Sequence, residues 1–370
     1  MVRKCISVCF LFFLLPSLLF ASWSFVFESW DGHPQIASTL VPTSVRAGTA
    51  YDKIVLFSGW QTDLLLLGGV GYLQRSLYQN PQTGALLGSN PFIFDLLHFD
   101  WTIGLKQYFD TERRQSLFLG YRGSYEQAFD SMAAGKTISS GLVLDIPTWM
   151  ATYGPDALYG PLSGVGTSII VQYSCDRLID TLVTSDGYSF TVSLGLGPKL
   201  LNTNASYLSL EGSAQVATTL HQVLEKKKNV YSIVLVDRLA FAASYGSFVP
   251  FSVQERTSQG SLVRGFGAYQ YPRDVVLANQ LELRVNGPEN FTKGLFPRFL
   301  FFFDLGYGFG QLMNTNVQSS GLTASFGPAL TFVLTDYLNI GYQMAYLIAG
   351  TNADHPGAKI VGEIQAHIRY

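Results

Sequence analysis

Phe299-Leu-Phe-Phe-Phe-Asp304-Leu-Gly-Tyr-Gly-Phe309 decides the fold of this chain. Read every second residue, it gives Phe299, Phe301, Phe303, Leu305, Tyr307 and Phe309 on one face. Asp304, Gly306 and Gly308 fall on the other. Alternation at about 180° per residue belongs to a β-strand with two unlike faces. Here one face is continuously aromatic and aliphatic, and the other is small and carries a carboxylate.

The same period recurs along the chain. Leu117, Leu119, Tyr121 and Tyr125 alternate with Arg122, Ser124 and Glu126. Tyr188, Phe190, Val192, Leu194 and Leu196 alternate with Ser189, Thr191, Ser193, Gly195 and Gly197. Leu277, Leu281 and Leu283 alternate with Ala278, Gln280, Glu282 and Arg284. Phe326, Leu330, Phe332 and Leu334, then Ile340, Tyr342, Met344, Tyr346 and Ile348, repeat the scheme. Each run covers about 9–13 residues, the length of a tilted membrane strand, where soluble sandwiches use about 5–6. The 370 residues include 20 Tyr, 27 Phe and 36 Gly with only 14% charged residues. A soluble domain would have to hide those aromatics in one core, whereas a transmembrane barrel displays them as girdles. The expected fold is all-β, a transmembrane antiparallel β-barrel.

The N-terminus points to export. Arg3 and Lys4 precede an apolar run from Ile6 to Phe20, closed by Ala21 and Ser22. The run is interrupted by Pro16 and falls short of the ~20 residues of a helical span, so residues 1–21 read as a cleaved signal peptide. Residues 22–370 then form one domain. Removing Arg3 and Lys4 leaves 22 basic against 26 acidic residues, a balance that excludes nucleic acid as a partner. Cys5 and Cys9 leave with the signal, so Cys175 has no internal disulfide partner.

Connections alternate in length. Short turns are expected at Asp110–Arg114, Glu225–Asn229 and Thr335–Tyr337, and long segments at Gln74–Leu97, Ala128–Gly164 and Gly246–Asp274. With the last strand running inward, every long segment falls on the outer side, as outer-membrane barrels require. About 13 strands can be placed from Lys53 onward by alternation, and single-chain bacterial barrels have even numbers. At least one more strand is expected in Trp23–Ala50, and Lys136–Ile146 leaves room for others. The count is 14 or 16.

Three motifs follow one another in the last third. Ser261-Leu-Val-Arg264-Gly265-Phe266-Gly267 lies in the long loop, Asn279-Gln-Leu-Glu282-Leu-Arg284 on the next strand, and Phe303-Asp304-Leu-Gly306 on the strand after it. By alternation Asp304 faces inward, where a carboxylate needs a partner or water. An Arg fork on a Gly-flanked loop can supply one bidentately. The ordered set resembles the barrel of the bacterial outer-membrane assembly and secretion superfamily, the bacterial surface antigen family: BamA-like insertases, TamA-like proteins and two-partner secretion transporters. The resemblance covers roughly Ser261–Tyr370. It implies 16 strands, a loop (about 246–274) folded into the lumen, Arg264 paired with Asp304, and Glu282 on the same wall. Phe266 and Gly306 belong to the same loop–lumen lock. It also implies protein or lipid insertion, translocation or gated passage, with an unfolded protein or lipid as client. The family's periplasmic POTRA domains precede the barrel. Only about 30 residues separate the signal from the first placed strand here, so a barrel-only member is expected.

Ile360, Gly362, Ile364, Ala366, Ile368 and Tyr370 form one face of a final strand ending in an aromatic. Ile364, Ile368 and Tyr370 resemble the C-terminal signal read by the barrel-insertion machinery, which would make this chain its client and outer-membrane lipid its surroundings. No cofactor is expected. The Gly-rich pieces Gly195-Leu-Gly197 and Gly306-Tyr-Gly308 lie inside strands without a following helix, so they are not phosphate loops. The five histidines show no ligand spacing. Two other functions compete: an open diffusion porin, and an outer-membrane hydrolase, for which His98 beside Asp95 and Asp100 is the one candidate constellation. The expectation is a non-enzymatic pore.

Overall fold

The computed structural model describes residues 23–29, 44–54 and 61–368, apart from 78, 86, 88–91, 133, 139–140, 155–157, 159–161, 182, 199–205, 226–227, 255–256, 268–269, 289–294, 313–316, 335–337 and 353–356. The signal segment 1–21 and Tyr370 lie outside the described residues.

Among the described residues fourteen strands follow one another in chain order, each antiparallel to the next, with a two-residue piece at Ile179–Asp180 pairing beside them. They are β1 (Trp23–Ser29), β2 (Ser44–Ile54), β3 (Gln61–Leu77), β4 (Phe92–Tyr108) and β5 (Gln115–Asp130). Then come β6 (Ser163–Asp176), β7 (Ser185–Gly197), β8 (Ser206–Glu225), β9 (Lys228–Phe248) and β10 (Arg273–Asn286). The last are β11 (Leu295–Leu312), β12 (Gln318–Leu334), β13 (Leu338–Ala349) and β14 (Ile360–Ile368). Beyond Lys53 lie twelve strands, β3–β14, one fewer than the thirteen expected there, while β1 and most of β2 fall in Trp23–Ala50, where at least one more was expected. Lys136–Ile146 adds no strand to the sheet: it contains a two-residue ladder and the start of α1 (Ile146–Tyr153).

The sheet is rolled. Flat, β3 and β10 would stand seven strand spacings apart, roughly 34 Å at about 4.8 Å each. Yet Arg273 Nη1 on β10 donates to Gln79 Oε1, just beyond β3, at 3.1 Å. Leu77 of β3, Phe92 and Phe94 of β4, Phe251 of the long loop and Leu312 of β11 share one apolar cluster. Among the described residues the edge strands β1 and β14 are not hydrogen-bonded to each other, so the barrel is open along that seam.

Alternation sorts the two faces. Phe299, Phe301, Phe303, Leu305, Tyr307 and Phe309 are each 38–52% exposed, whereas Asp304 is fully buried. Ile340, Tyr342, Met344, Tyr346 and Ile348 on β13 are likewise exposed. Stripes of this kind on neighbouring strands make an apolar surface far larger than a soluble monomer tolerates. No helix among the described residues is long and apolar enough to cross a membrane.

The strands run longer than the alternating runs suggest: β3 and β4 have 17 residues each and β9 has 21. The ends of β3 and β4 nearest the long loop pack into an apolar cap. There Trp149 of α1 stacks on Phe92 at 4.4 Å, and Leu158, Ile146 and Phe251 complete the cluster. Buried on both sides, those strand ends lose the alternating pattern, so Gln74–Leu97 read as a loop. Asp145 caps α1 by accepting from the Thr148 amide at 2.7 Å, and Pro147 starts the helix where no donor is needed.

Candidate functional site: a loop strapped across the barrel

The connection from β9 to β10 enters the rolled sheet and touches opposite walls. At its start, the Phe251 amide donates to Glu126 Oε2 on β5 at 3.0 Å, and Arg75 Nη2 on β3 donates to the Phe251 carbonyl at 2.8 Å. The Arg75 guanidinium also lies 4.7 Å from the Phe251 ring centroid. The chain then makes a 3-10 turn (Gln259–Ser261) and is cross-braced within itself. Ser258 Oγ donates to the Gln270 carbonyl at 2.6 Å, and the Gly260 amide reaches the same oxygen at 3.0 Å.

Arg264 follows, on the wall formed by β10–β12. Register prepares its landing place: Asp304 stands opposite Gln280 on β10 and Ser325 on β12, and Glu282 stands opposite Phe302. Arg264 Nε donates to Asp304 Oδ2 at 2.7 Å and Nη2 to Oδ1 at 2.6 Å, a bidentate fork. The Arg264 amide adds a third bond to Oδ2 at 3.0 Å. Nη1 donates to Glu282 Oε1 at 2.8 Å, while Glu282 Oε2 accepts from Arg284 Nε at 2.8 Å. The quartet Arg264, Arg284, Glu282 and Asp304 is charge-balanced. Burial pulls the Arg264 pKa down, but Asp304 and then Glu282 outweigh it, so the pKa is raised above its ordinary value.

Packing fixes the same segment. The guanidinium lies 4.0 Å above the Phe302 ring, an attractive cation–π geometry. Gly265 has φ +87°, and a Cβ there would stand 2.6 Å from Ala345 Cβ on β13. A side chain is therefore excluded both by backbone conformation and by space. A Cβ on Gly306 would stand 2.6 Å from Val263 Cγ2, so this glycine lets the loop lie against β11. Val263, Phe266, Ala278 and Leu347 form a buried cluster; full burial of side chains such as Val or Phe contributes about 1.5–3 kcal/mol each. Ser325 Oγ donates to the Arg264 carbonyl at 2.6 Å, and Asn352 Nδ2 to the Gly265 carbonyl at 2.8 Å.

Arg264, Gly265, Phe266, Glu282, Asp304 and Gly306 thus lie together on one wall. Sequence reasoning missed Phe302, Gln280, Ser325 and the entire anchor at Phe251. For Phe302 a signal existed: it shares the parity of Asp304 and Gly306, an aromatic on an otherwise small and polar face. The Phe251 anchor left none, since its partners lie 125 and 176 residues away. Ile364 and Ile368 lie on β14. The trio at His98 is divided by the sheet: His98 and Asp100 face inward, while Asp95 has the opposite parity and accepts from the Tyr72 hydroxyl.

A rolled antiparallel sheet with an apolar outer belt, a polar inner wall and a loop strapped inside is the architecture of a transmembrane β-barrel. No known family profile and no curated protein matches the chain. Among solved structures, the chain is similar to BamA from Haemophilus ducreyi lacking POTRA domains 1–3, at TM-score 0.49 and 14% identity, over 88% of this chain and 62% of that one. It is also similar to CdiB from Acinetobacter baumannii, at TM-score 0.49 and 13% identity, over 88% of this chain and 50% of that one. The chain therefore spans less than two thirds of either.

Proposed function

We propose that this protein is a pore of the bacterial outer membrane, its barrel of the BamA/TamA-like kind, and that its long loop acts as a plug locked to the lumen wall by Arg264. The observation that carries this reading is the bidentate Arg264–Asp304 pair, which ties a central loop to a strand whose other face is apolar from Phe299 to Phe309. An open diffusion porin has no need of a loop fastened to both walls. In this reading the belt contacts outer-membrane lipid, and the final strand with Tyr370 is the signal for the barrel-insertion machinery. The passage released by unlocking serves insertion or translocation of an unfolded protein or lipid. We assign no catalytic role, because Asp95 is turned away from His98.

Purified protein reconstituted in planar bilayers tests the plug. The wild type is expected to give small, noisy current steps and Arg264→Ala large ones; large steady steps from the wild type would mean an open porin. Heat-modifiable gel mobility tests the barrel, and a monodisperse protein soluble without detergent would sink it. Replacing Tyr370 with Asp should lower outer-membrane levels, and unchanged levels would remove the assembly-signal role. A photocrosslinker at Gln280 tests the client: capture of exported polypeptides when the loop is unlocked supports translocation, and solute leakage without any capture counts against it.

A further inference from the structure

The outer belt carries one group that does not suit hydrocarbon. Register maps the apolar stripe of β11 onto β9. Phe299 stands opposite Val285 and Val285 opposite Ile233, while Phe309 stands opposite Val275 and Val275 opposite Ala243. Asp237 lies inside that stretch, roughly 13 Å along the strand from Ile233. It shares the parity of Leu235 and Leu239, so it faces outward, and it is exposed. Tyr231 and Tyr245, exposed on the same face, bracket it from both ends, as interfacial girdles do. Around it stand Val216 on β8, Leu239 on β9, and Leu281 and Leu283 on β10, all exposed. Asn279 Nδ2 donates to Asp237 Oδ1 at 2.6 Å, and among the described residues no other group bonds to the carboxylate.

We propose that Asp237 and Asn279 mark a contact surface for a second membrane-embedded polypeptide, one that presents a lysine or arginine at mid-depth. The inference rests on the belt lying in the membrane, not on the plug or its lock. Ionisable residues inside a membrane are costly, and as a rule they face a protein interior or a water-filled cavity and pair there. Asp237 does neither: it is turned away from the lumen, and its one neighbour in hydrogen-bond reach is a neutral amide. The pair leaves Asp237 Oδ2 and Asn279 Oδ1 as acceptors. A cation on the partner supplies the missing donors and the missing charge together. A lipid ammonium group cannot do so, since head groups stay at the two interfaces. A second copy of the chain is no better suited. Among the described residues of β3–β13 no Lys or Arg stands on the outer face at this depth; Arg238, Arg284 and Arg298, on the neighbouring strands, turn inward.

The experiment places the full chain in phosphatidylcholine vesicles with a synthetic apolar transmembrane peptide of about 20 residues that carries one lysine at its centre. A second peptide with leucine at that place is the control. A photoreactive phenylalanine analogue in place of Val216, the cross-strand partner of Asp237, reports contact. The lysine peptide should crosslink roughly tenfold more than the leucine peptide, the scale of one polar contact between membrane segments. Asp237→Asn, nearly isosteric, should erase that preference, and Asp237→Glu should keep most of it, each with heat-modifiable mobility intact. The same analogue at Tyr342, an exposed residue of β13, should show no preference. Equal crosslinking of the two peptides, a lysine preference that survives Asp237→Asn, or the same preference at Tyr342 would overturn the inference while leaving the barrel standing. Crosslinks between two copies of the chain that exclude the peptide would overturn it too, in favour of self-association. A wild type soluble without detergent would remove the barrel and this surface together.

Discussion

Replacing Arg264 or Asp304 by alanine separates the lock from the barrel that holds it. The Arg264 side chain is 12% exposed and that of Asp304 0%, so the pair is drier than a water-filled lumen would make it. Removing one partner of a buried pair typically costs about 3–5 kcal/mol, because the other is left as an uncompensated charge. The two single changes are not equivalent here. Arg264→Ala takes both guanidinium donors from Asp304 and leaves it only the backbone amide of residue 264, so a cost of about 3–5 kcal/mol is expected to fall on the docked loop. After Asp304→Ala, Arg264 keeps Glu282 at 2.8 Å and the Phe302 ring, so about 2–3 kcal/mol is expected, the worth of a hydrogen bond to a charged group. At 1.4 kcal/mol per factor of ten, the docked-to-undocked ratio should fall more than a hundredfold for Arg264→Ala and roughly thirty- to hundredfold for Asp304→Ala. The double mutant should be little worse than Arg264→Ala alone. The assay is the ratio of large-step to small-step dwell times in single-channel records, with heat-modifiable mobility confirming an intact barrel. Strictly additive effects, or equal effects of the two singles with no coupling, would refute the shared interaction.

Other changes probe the remaining contacts. Gly265→Ala forces a Cβ to within 2.6 Å of Ala345 Cβ at φ +87°; it should undock the loop as strongly as Arg264→Ala, and normal small steps from this variant would show that β13 yields instead. Phe251→Ala empties a site in the cap and should cost about 3–5 kcal/mol of cap stability. Combined with Arg264→Ala it should give larger steps than either change alone, since the loop then keeps only the backbone hydrogen bonds of residue 251 to Glu126 and Arg75 at that end. Asp145, held below its ordinary pKa by the Thr148 side chain and amide, should stabilise α1 at neutral pH. With a depressed pKa, that contribution is lost as the pH falls through the carboxylate range. Hydrogen exchange in α1 should therefore quicken at pH 3 relative to pH 7 once corrected for intrinsic rates, and should not change with pH in Asp145→Asn.

How far the sequence could be read depended on the range of the contact. The outward stripe at Phe299–Phe309 is visible because alternation is local and one of its faces meets a uniform environment. Arg264 and Asp304 could be matched because three short motifs stand in order, and parity alone turned Asp304 inward. Phe302 is hidden in the sequence by the apolar stripe on either side of it, though its own parity puts it beside the carboxylate. The cap was misread as loop since Leu77, Phe92 and Phe94 are covered on both faces and carry no period of two. The Phe251–Glu126–Arg75 anchor joins three strand ends far apart in sequence, and no spacing records it. Of the two strand counts, fourteen is the number on the path among the described residues.

The loop's attachment at both ends has a mechanical consequence. A rolled sheet resembles a hoop: it resists stretching along its hydrogen bonds but ovalises readily when squeezed. A cord from β3 and β5 on one side to β10–β13 on the other acts as a tie rod across that hoop, limiting how far the two walls can part. With an edge seam that is not hydrogen-bonded, such a tie also carries load that a closed ring would carry in its perimeter. Cutting it at Arg264 should therefore change the stiffness of the whole hoop, and with it the spacing of β1 and β14, strands that the arginine never touches.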